Sequence, residues 1–139
     1  MDEFNQPIID EFRANEGKVG GMFAGAPIVL LTTTGAKSGK ARLNPLAALV
    51  EDDGTVYVFA SAAGAPKDPD WFRNLVAHPQ VGVEIGTEQY TATATPVSGA
   101  KRDEIYARQK AVMPQFSEYE EKTNGIRTIP VVELARAGS

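Results

Sequence analysis

Apolar residues recur along the chain at two different spacings, and the switches between them mark out its elements. Phe4, Ile8, Ile9 and Phe12 stand at helical intervals, which predicts an amphipathic helix over about residues 4–16 within an N-terminal segment 1–17. Gly17, Gly20, Gly21 and Gly25 then interrupt regular structure. From Pro27 the run PIVLLTTTG is rich in β-branched residues and predicts a strand. GAKSGK reads as a Gly-bounded turn and ARLNPLAALV as the returning strand. Pro45 inside that strand predicts an edge position or a bulge, because proline has no N–H to donate to a ladder.

Asp52, Asp53 and Gly54 predict a second hairpin turn, and TVYVFAS a third strand. Alternation places Val56, Val58 and Ala60 on one of its faces and Tyr57, Phe59 and Ser61 on the other. After a loop of Ala, Gly and Pro, Asp68 is placed to cap a helix with Pro69 at its first position, over PDWFRNLVAH up to Pro79. VGVEIG and EQYTATATPV alternate as a strand pair. Residues 99–113 predict a helix burying Ile105, Tyr106 and Val112, Gln115 to Lys122 a shorter one, and TIPVVEL a last strand. Six strands in hairpin order with helices between them predict a mainly β (α+β) fold, an antiparallel sheet or small barrel, as a single domain over residues 1–139.

Composition removes several function classes. The formal charge of −4 argues against nucleic acid as a partner, since phosphate neutralisation needs an excess of Lys and Arg. With no cysteine and a single histidine, thiolate catalysis, disulfides and a transition-metal site are not expected. The longest apolar run, Ala26 to Leu31, is far shorter than the roughly 20 residues that span a bilayer. The acidic start MDEFNQPIIDEF lacks the features of a secretory signal, so a cytoplasmic location is expected.

Two segments have the residue types of a binding site. The first is the turn where Lys37, Lys40 and Arg42 cluster among Gly35, Gly39, Thr34 and Ser38. Glycines admit an anion close to the backbone, and cationic, amide and hydroxyl donors hold it. The same residues also suit a solvated hairpin tip. The second is Ser61 and the loop AAGAPKDPDWFRN, where Trp71 and Asn74 share a helix face and suit a flat ligand. Trp71 equally suits a core position. His78 reads as a residue at a helix C-terminus, and Arg127, before the last strand, as an ion-pair partner. No nucleophile, base and orienting acid stand together, which fits a reaction carried by a redox cofactor.

The runs LLTTTGAKSGKARLNPL, FASAAGAPKDPDWFRNLVAHPQV and TIPVVEL resemble, in that order, the deazaflavin-dependent nitroreductase family of actinobacteria. That family belongs to the F420-dependent split β-barrel reductases, and the likeness runs from about Phe4 to Leu134. It implies a split β-barrel with coenzyme F420 in a groove along it. Ala36, Lys37 and Ser38 match the turn on the cofactor's anionic tail, and Arg42, Leu43, Asn44, Pro45, Leu46 and Ala47 the strand beneath it. Phe59, Ala60, Ser61 and Ala62 match the segment beside the deazaflavin ring and phosphate. Asp70, Trp71, Phe72, Arg73 and Asn74 match the helix start along the same groove. The family's substrate-facing tyrosine positions fall on Ala47, Met113, Phe116 and Tyr119, of which only Tyr119 keeps its hydroxyl, so a more apolar pocket is implied. Ala62 stands where a basic residue is common.

The resemblance implies hydride transfer from the reduced deazaflavin to a small electron-poor acceptor, an enone, quinone or nitro compound. Solvent, Tyr119 or Ser61 would supply the proton. An FMN-binding split-barrel enzyme and a non-catalytic F420 carrier are the alternatives. Membrane contact through the Phe4 to Phe12 helix is disfavoured by Asp2, Glu3, Asp10 and Glu11. Both a monomer and a homodimer are compatible with the chain.

Overall fold

The computed structural model describes residues 6–15 and 27–136, so Phe4 and the glycines from Gly17 to Gly25 lie outside the described residues. The first helix, α1, spans Gln6–Ala14. β1 (Ile28–Thr34) and β2 (Ala41–Val50) pair antiparallel from Ile28↔Ala47 to Thr34↔Ala41. β3 is Val56–Phe59, and a 3₁₀ turn at Ala62–Gly64 leads to α2 (Asp70–Ala77). β4 (Gln80–Ile85) and β5 (Glu88–Val97) form a hairpin, α3 (Gly99–Val112) and α4 (Gln115–Thr123) follow, and β6 (Val131–Arg136) completes the fold. The strands close into a barrel in the order β1-β2-β3-β6-β5-β4, with every neighbouring pair antiparallel. The expected six-stranded antiparallel barrel with interposed helices is therefore present. Among the described residues no helix is long and apolar enough to cross a membrane.

Strand alternation distributes the apolar residues over separate cores. Val29, Leu31, Val56, Val58, Val81, Val83, Val132 and Leu134 fill the barrel interior, together with Trp71 and Leu75 of α2. On β1, β3 and the start of β6 the intervening residues are buried on the outside. Ile28 and Leu30 lie under Ile9 and Phe12 of α1, while Tyr57, Phe59 and Val131 lie under Ile105, Tyr106, Met113 and Phe116 of α3 and α4. Burial on both faces explains why β1 and β3 read as unbroken apolar runs.

Pro45 sits where the barrel tolerates it. Ala48 N donates to Pro27 O (3.0 Å), and the alternation of an antiparallel ladder then makes Leu30↔Pro45 a pair that exchanges no hydrogen bonds. Its ring nitrogen faces away from β1, and β3 pairs only with Ala48 to Val50 on the other side. Pro45 is thus at a local edge of a closed barrel.

Two expectations need correcting. Asp68 does not cap α2: the cap position is Pro69 and the helix opens at Asp70, because the Asp68 carboxylate is bound to Arg127 instead (2.9 Å). Val112 is 56% exposed. The buried face of α3 is centred on Arg102 and Gln109, two polar residues that an apolar pattern does not reveal, and Val112 lies at its margin. Arg102 is tolerated there because Nε and Nη2 donate to Ile129 O (3.1 and 2.9 Å) and its guanidinium lies 4.6 Å from the Tyr106 ring centre.

Tyr106 ties α3 to α4 by donating to Phe116 O (2.7 Å), and burial pushes its pKa up to about 12. An unfolded tyrosine ionises near pH ~10, so between about 10 and about 12 the unfolded chain has released a proton that the folded chain keeps. Stability therefore falls as pH rises through that window. Tyr106→Phe should lose ~1–2 kcal/mol at neutral pH through the missing donor and show a shallower alkaline fall. Denaturant unfolding across pH checks this, and parallel profiles for the two proteins would contradict it.

Candidate functional site

The β1–β2 turn is built by its own backbone and then fastened to α2. Gly35 N donates to Lys40 O (2.8 Å) and Gly39 N to Gly35 O (2.9 Å), while Gly39 takes a φ of +70° that favours glycine. Asn74 of α2 accepts from Ala36 N (3.0 Å) and donates to Thr33 Oγ1 (3.2 Å), with both side-chain partners buried. The amide predicted to face a flat ligand is therefore spent holding the turn against the helix. Ser38 Oγ accepts from Lys40 N (3.2 Å) and rigidifies the tip. Lys37, Lys40 and Arg42 remain exposed, with no carboxylate paired to them among the described residues.

Between this turn and the start of α2 lies a cavity of about 730 Å³. Ala36, Lys37, Ser38, Arg42, Asn44, Asp70, Trp71, Arg73 and Asn74 all line it, together with Gly35 and Pro69. Trp71 is 6% exposed and serves two purposes, as a plug of the barrel interior and as a wall of the cavity. Arg73 bonds Asp70 and also donates from Nη1 to Asp68 O (2.8 Å). The lining thus carries three cations, Lys37, Arg42 and Arg73, against the single carboxylate of Asp70. A locally positive cavity on a chain of net charge −4 suits an anion.

The other predicted residues stand elsewhere. Leu43 packs towards α1, Leu46 and Phe72 against the barrel interior, and Ala47 between the two outer cores. Pro45 is buried in β2 and Ala60 in the interior. Phe59 lies in an aromatic group with Tyr106 and Phe116, at ring-centre distances of 6.0 and 5.5 Å. Met113 and Phe116 are buried in that same group, and Tyr119 sits at its edge, 5.2 Å from Phe116. Burial, aided by the charge of Glu118, raises the Tyr119 pKa.

Ser61 and Ala62 form a turn directly after β3 and are not among the residues lining the Lys37 cavity. Gly64 in this turn takes a φ of +86°, and a Cβ there would approach Lys122 Cδ to 2.8 Å and Tyr119 Cα to 3.3 Å. Only glycine lets α4 pack this closely, so the Ser61 turn and Tyr119 are held side by side. Arg127 binds the turn from behind, donating to the carbonyls of Ala60, Ser61 and Ala65 and to Asp68. Sequence reasoning found the ion pair of Arg127 and missed its grip on the main chain, which no side-chain pattern encodes. A second cavity of about 580 Å³ lies beyond Arg127, near Arg102 and the 123–129 loop, but both arginines there are already bonded to main-chain carbonyls.

Comparison with known proteins gives a consistent result. A family model described as F420H(2)-dependent quinone reductase matches residues 7–135. An F420H(2)-dependent quinone reductase of Mycobacterium tuberculosis is 36% identical over 132 residues, covering 90% of this chain and 85% of the relative. A solved F420-H2 dependent reductase, FDR-A, is 41% identical with a TM-score of 0.69, covering 78% of this chain and 93% of its own. A further solved structure, described as a domain-swapped dimer, is 37% identical with a TM-score of 0.70 and covers 92% of this chain and 95% of its own.

Asn74→Ala should leave the Ala36 amide and the Thr33 hydroxyl without their partner, costing ~1–3 kcal/mol in denaturant unfolding. Hydrogen exchange at Ala36 should accelerate in that variant, and an unchanged rate would show that the turn holds its shape without α2.

Proposed function

The chain belongs to the F420H(2)-dependent quinone reductase family, and on that premise we propose that the Lys37 cavity receives the anionic tail of coenzyme F420. The enzyme is an F420H2-dependent oxidoreductase acting on a small electron-poor acceptor, with a quinone as the first candidate. The observation that carries the placement is the charge of the cavity: three cations against one carboxylate that Arg73 already neutralises. The donor set fits the group, because a tail of phosphate and carboxylates needs such cations and a turn whose backbone admits close approach.

When bound, the reduced cofactor supplies a hydride, so the protein's part is binding, orientation and exclusion of water. Lys37 and Arg42 hold the tail through charge. Trp71 offers a flat apolar wall fixed by the barrel interior, which limits the orientations open to a planar ring. By the family's pattern the Ser61 turn would lie beside the ring and phosphate. Tyr119, at the edge of the aromatic group, carries a hydroxyl that would hand a proton to the reduced acceptor and be reprotonated from solvent. Met113 and Phe116, buried with Phe59, give the acceptor side an apolar lining suited to a quinone ring. A homodimer is the favoured assembly, on the strength of the relative described as a domain-swapped dimer.

Replacing Lys37 and Arg42 together by Ala should weaken F420 binding at least tenfold, about 1.4 kcal/mol, with the difference shrinking at high salt. Fluorescence titration of the cofactor measures it. Unchanged affinity in the double variant would place the tail elsewhere.

A further inference from the structure

Arg127, just before β6, is 10% exposed and reaches back to four acceptors. Nε donates to Ala65 O (3.0 Å), Nη1 to Ala60 O (3.0 Å) and Asp68 Oδ1 (2.9 Å), and Nη2 to Ser61 O (2.9 Å). The Asp68 carboxylate alone would balance the charge, so the three carbonyl bonds need another explanation. A trans peptide is planar, with its N–H pointing opposite to its C=O. Holding Ala60 O and Ser61 O towards the guanidinium therefore aims the Ser61 and Ala62 amides away from it. Neither amide has an acceptor among the described residues. Ala62 also takes a φ of +46°, in the left-handed region that a residue with a Cβ seldom adopts. Strain of that kind persists only where surrounding contacts enforce it, and Arg127 supplies those contacts.

We infer that Arg127 is a positioning residue, which grips the turn from behind so that the Ser61 and Ala62 amides stay aimed at an anionic oxygen of the bound cofactor. The inference rests on the F420 reading above and adds a part to it. Lysine cannot replace arginine in this role, because an ammonium lacks the planar fork that spans separate acceptors. The grip also extends to the cavity wall, since Asp68 accepts from Arg127 through its carboxylate and from Arg73 through its carbonyl (2.8 Å). One residue thus links the turn after β3 to the start of α2.

The test is Arg127→Lys, which keeps the charge and removes the fork. Fluorescence titrations with coenzyme F420 and with its bare deazaflavin chromophore, which lacks the phosphate tail, are run on the purified variant and the parent protein. Hydrogen exchange of residues 60–65 is measured without ligand. The expected result is F420 binding at least tenfold weaker, chromophore binding within about twofold of the parent, and faster exchange in the turn. Unchanged F420 affinity, or equal losses for the two ligands, would overturn the role. If Arg127→Lys does not fold, Arg127→Gln decides, because its single amide NH2 cannot reach the three separate carbonyls of Ala60, Ser61 and Ala65. A selective loss for F420 there supports the role, and its absence overturns it. A parent protein that binds neither ligand removes the F420 reading and this inference together. A parent that depends on Lys37 and Arg42 but not on Arg127 removes this inference alone.

Discussion

The barrel has no free edge because the last strand enters between two that precede it, and the rest of the structure depends on that insertion. β6 pairs with β3 on one side and β5 on the other, and the pairing of β1 with β4 completes the ring. The segment leading into β6 is held by main-chain acceptors and donors in turn. Arg102 grips Ile129 O from α3, and Ala60 N donates to Pro130 O from the end of β3. Arg127 sits at the head of the same segment. The long-range pairing that closes the barrel is therefore also what carries a guanidinium under the Ser61 turn, so site and fold form together.

Much of this was legible in the residues. The limits of β2 follow from its flanking turns, and the two faces of β3 separate as alternation predicts, with Val56 and Val58 inside and Tyr57 and Phe59 outside. Pro45 marked a place without a second ladder partner, and β2 has one there even though the barrel is closed. What the residues concealed is polar burial. Arg102 and Gln109 occupy the buried face of α3 because a carbonyl, an aromatic ring and a methionine sulphur receive them, and no hydrophobic period announces such partners. Asp68 looked like a helix cap for the same reason, since its distant claimant Arg127 lies far along the chain.

The candidate site was legible in its charges and less so in its supports. Lys37 and Arg42 stand out on the turn, and Trp71 and Asn74 on one face of α2, yet Asn74 acts by fastening the turn to the helix. An acidic chain that gathers cations around one cavity pays a cost in local repulsion that the fold alone does not require. An anionic cofactor seated there, as proposed, would relieve that repulsion. Phe59, Met113 and Phe116, with Tyr119 at their edge, form a buried apolar group that has no residue in common with the lining of the cation-rich cavity.

The most direct test is a fluorescence titration of the purified protein with coenzyme F420, with FMN in parallel under the same salt conditions. Saturable binding of F420 and none of FMN is the result expected from a cation-lined cavity in a chain of this family. Preference for FMN, or binding of neither, would contradict the account and leave the barrel without the function assigned to it.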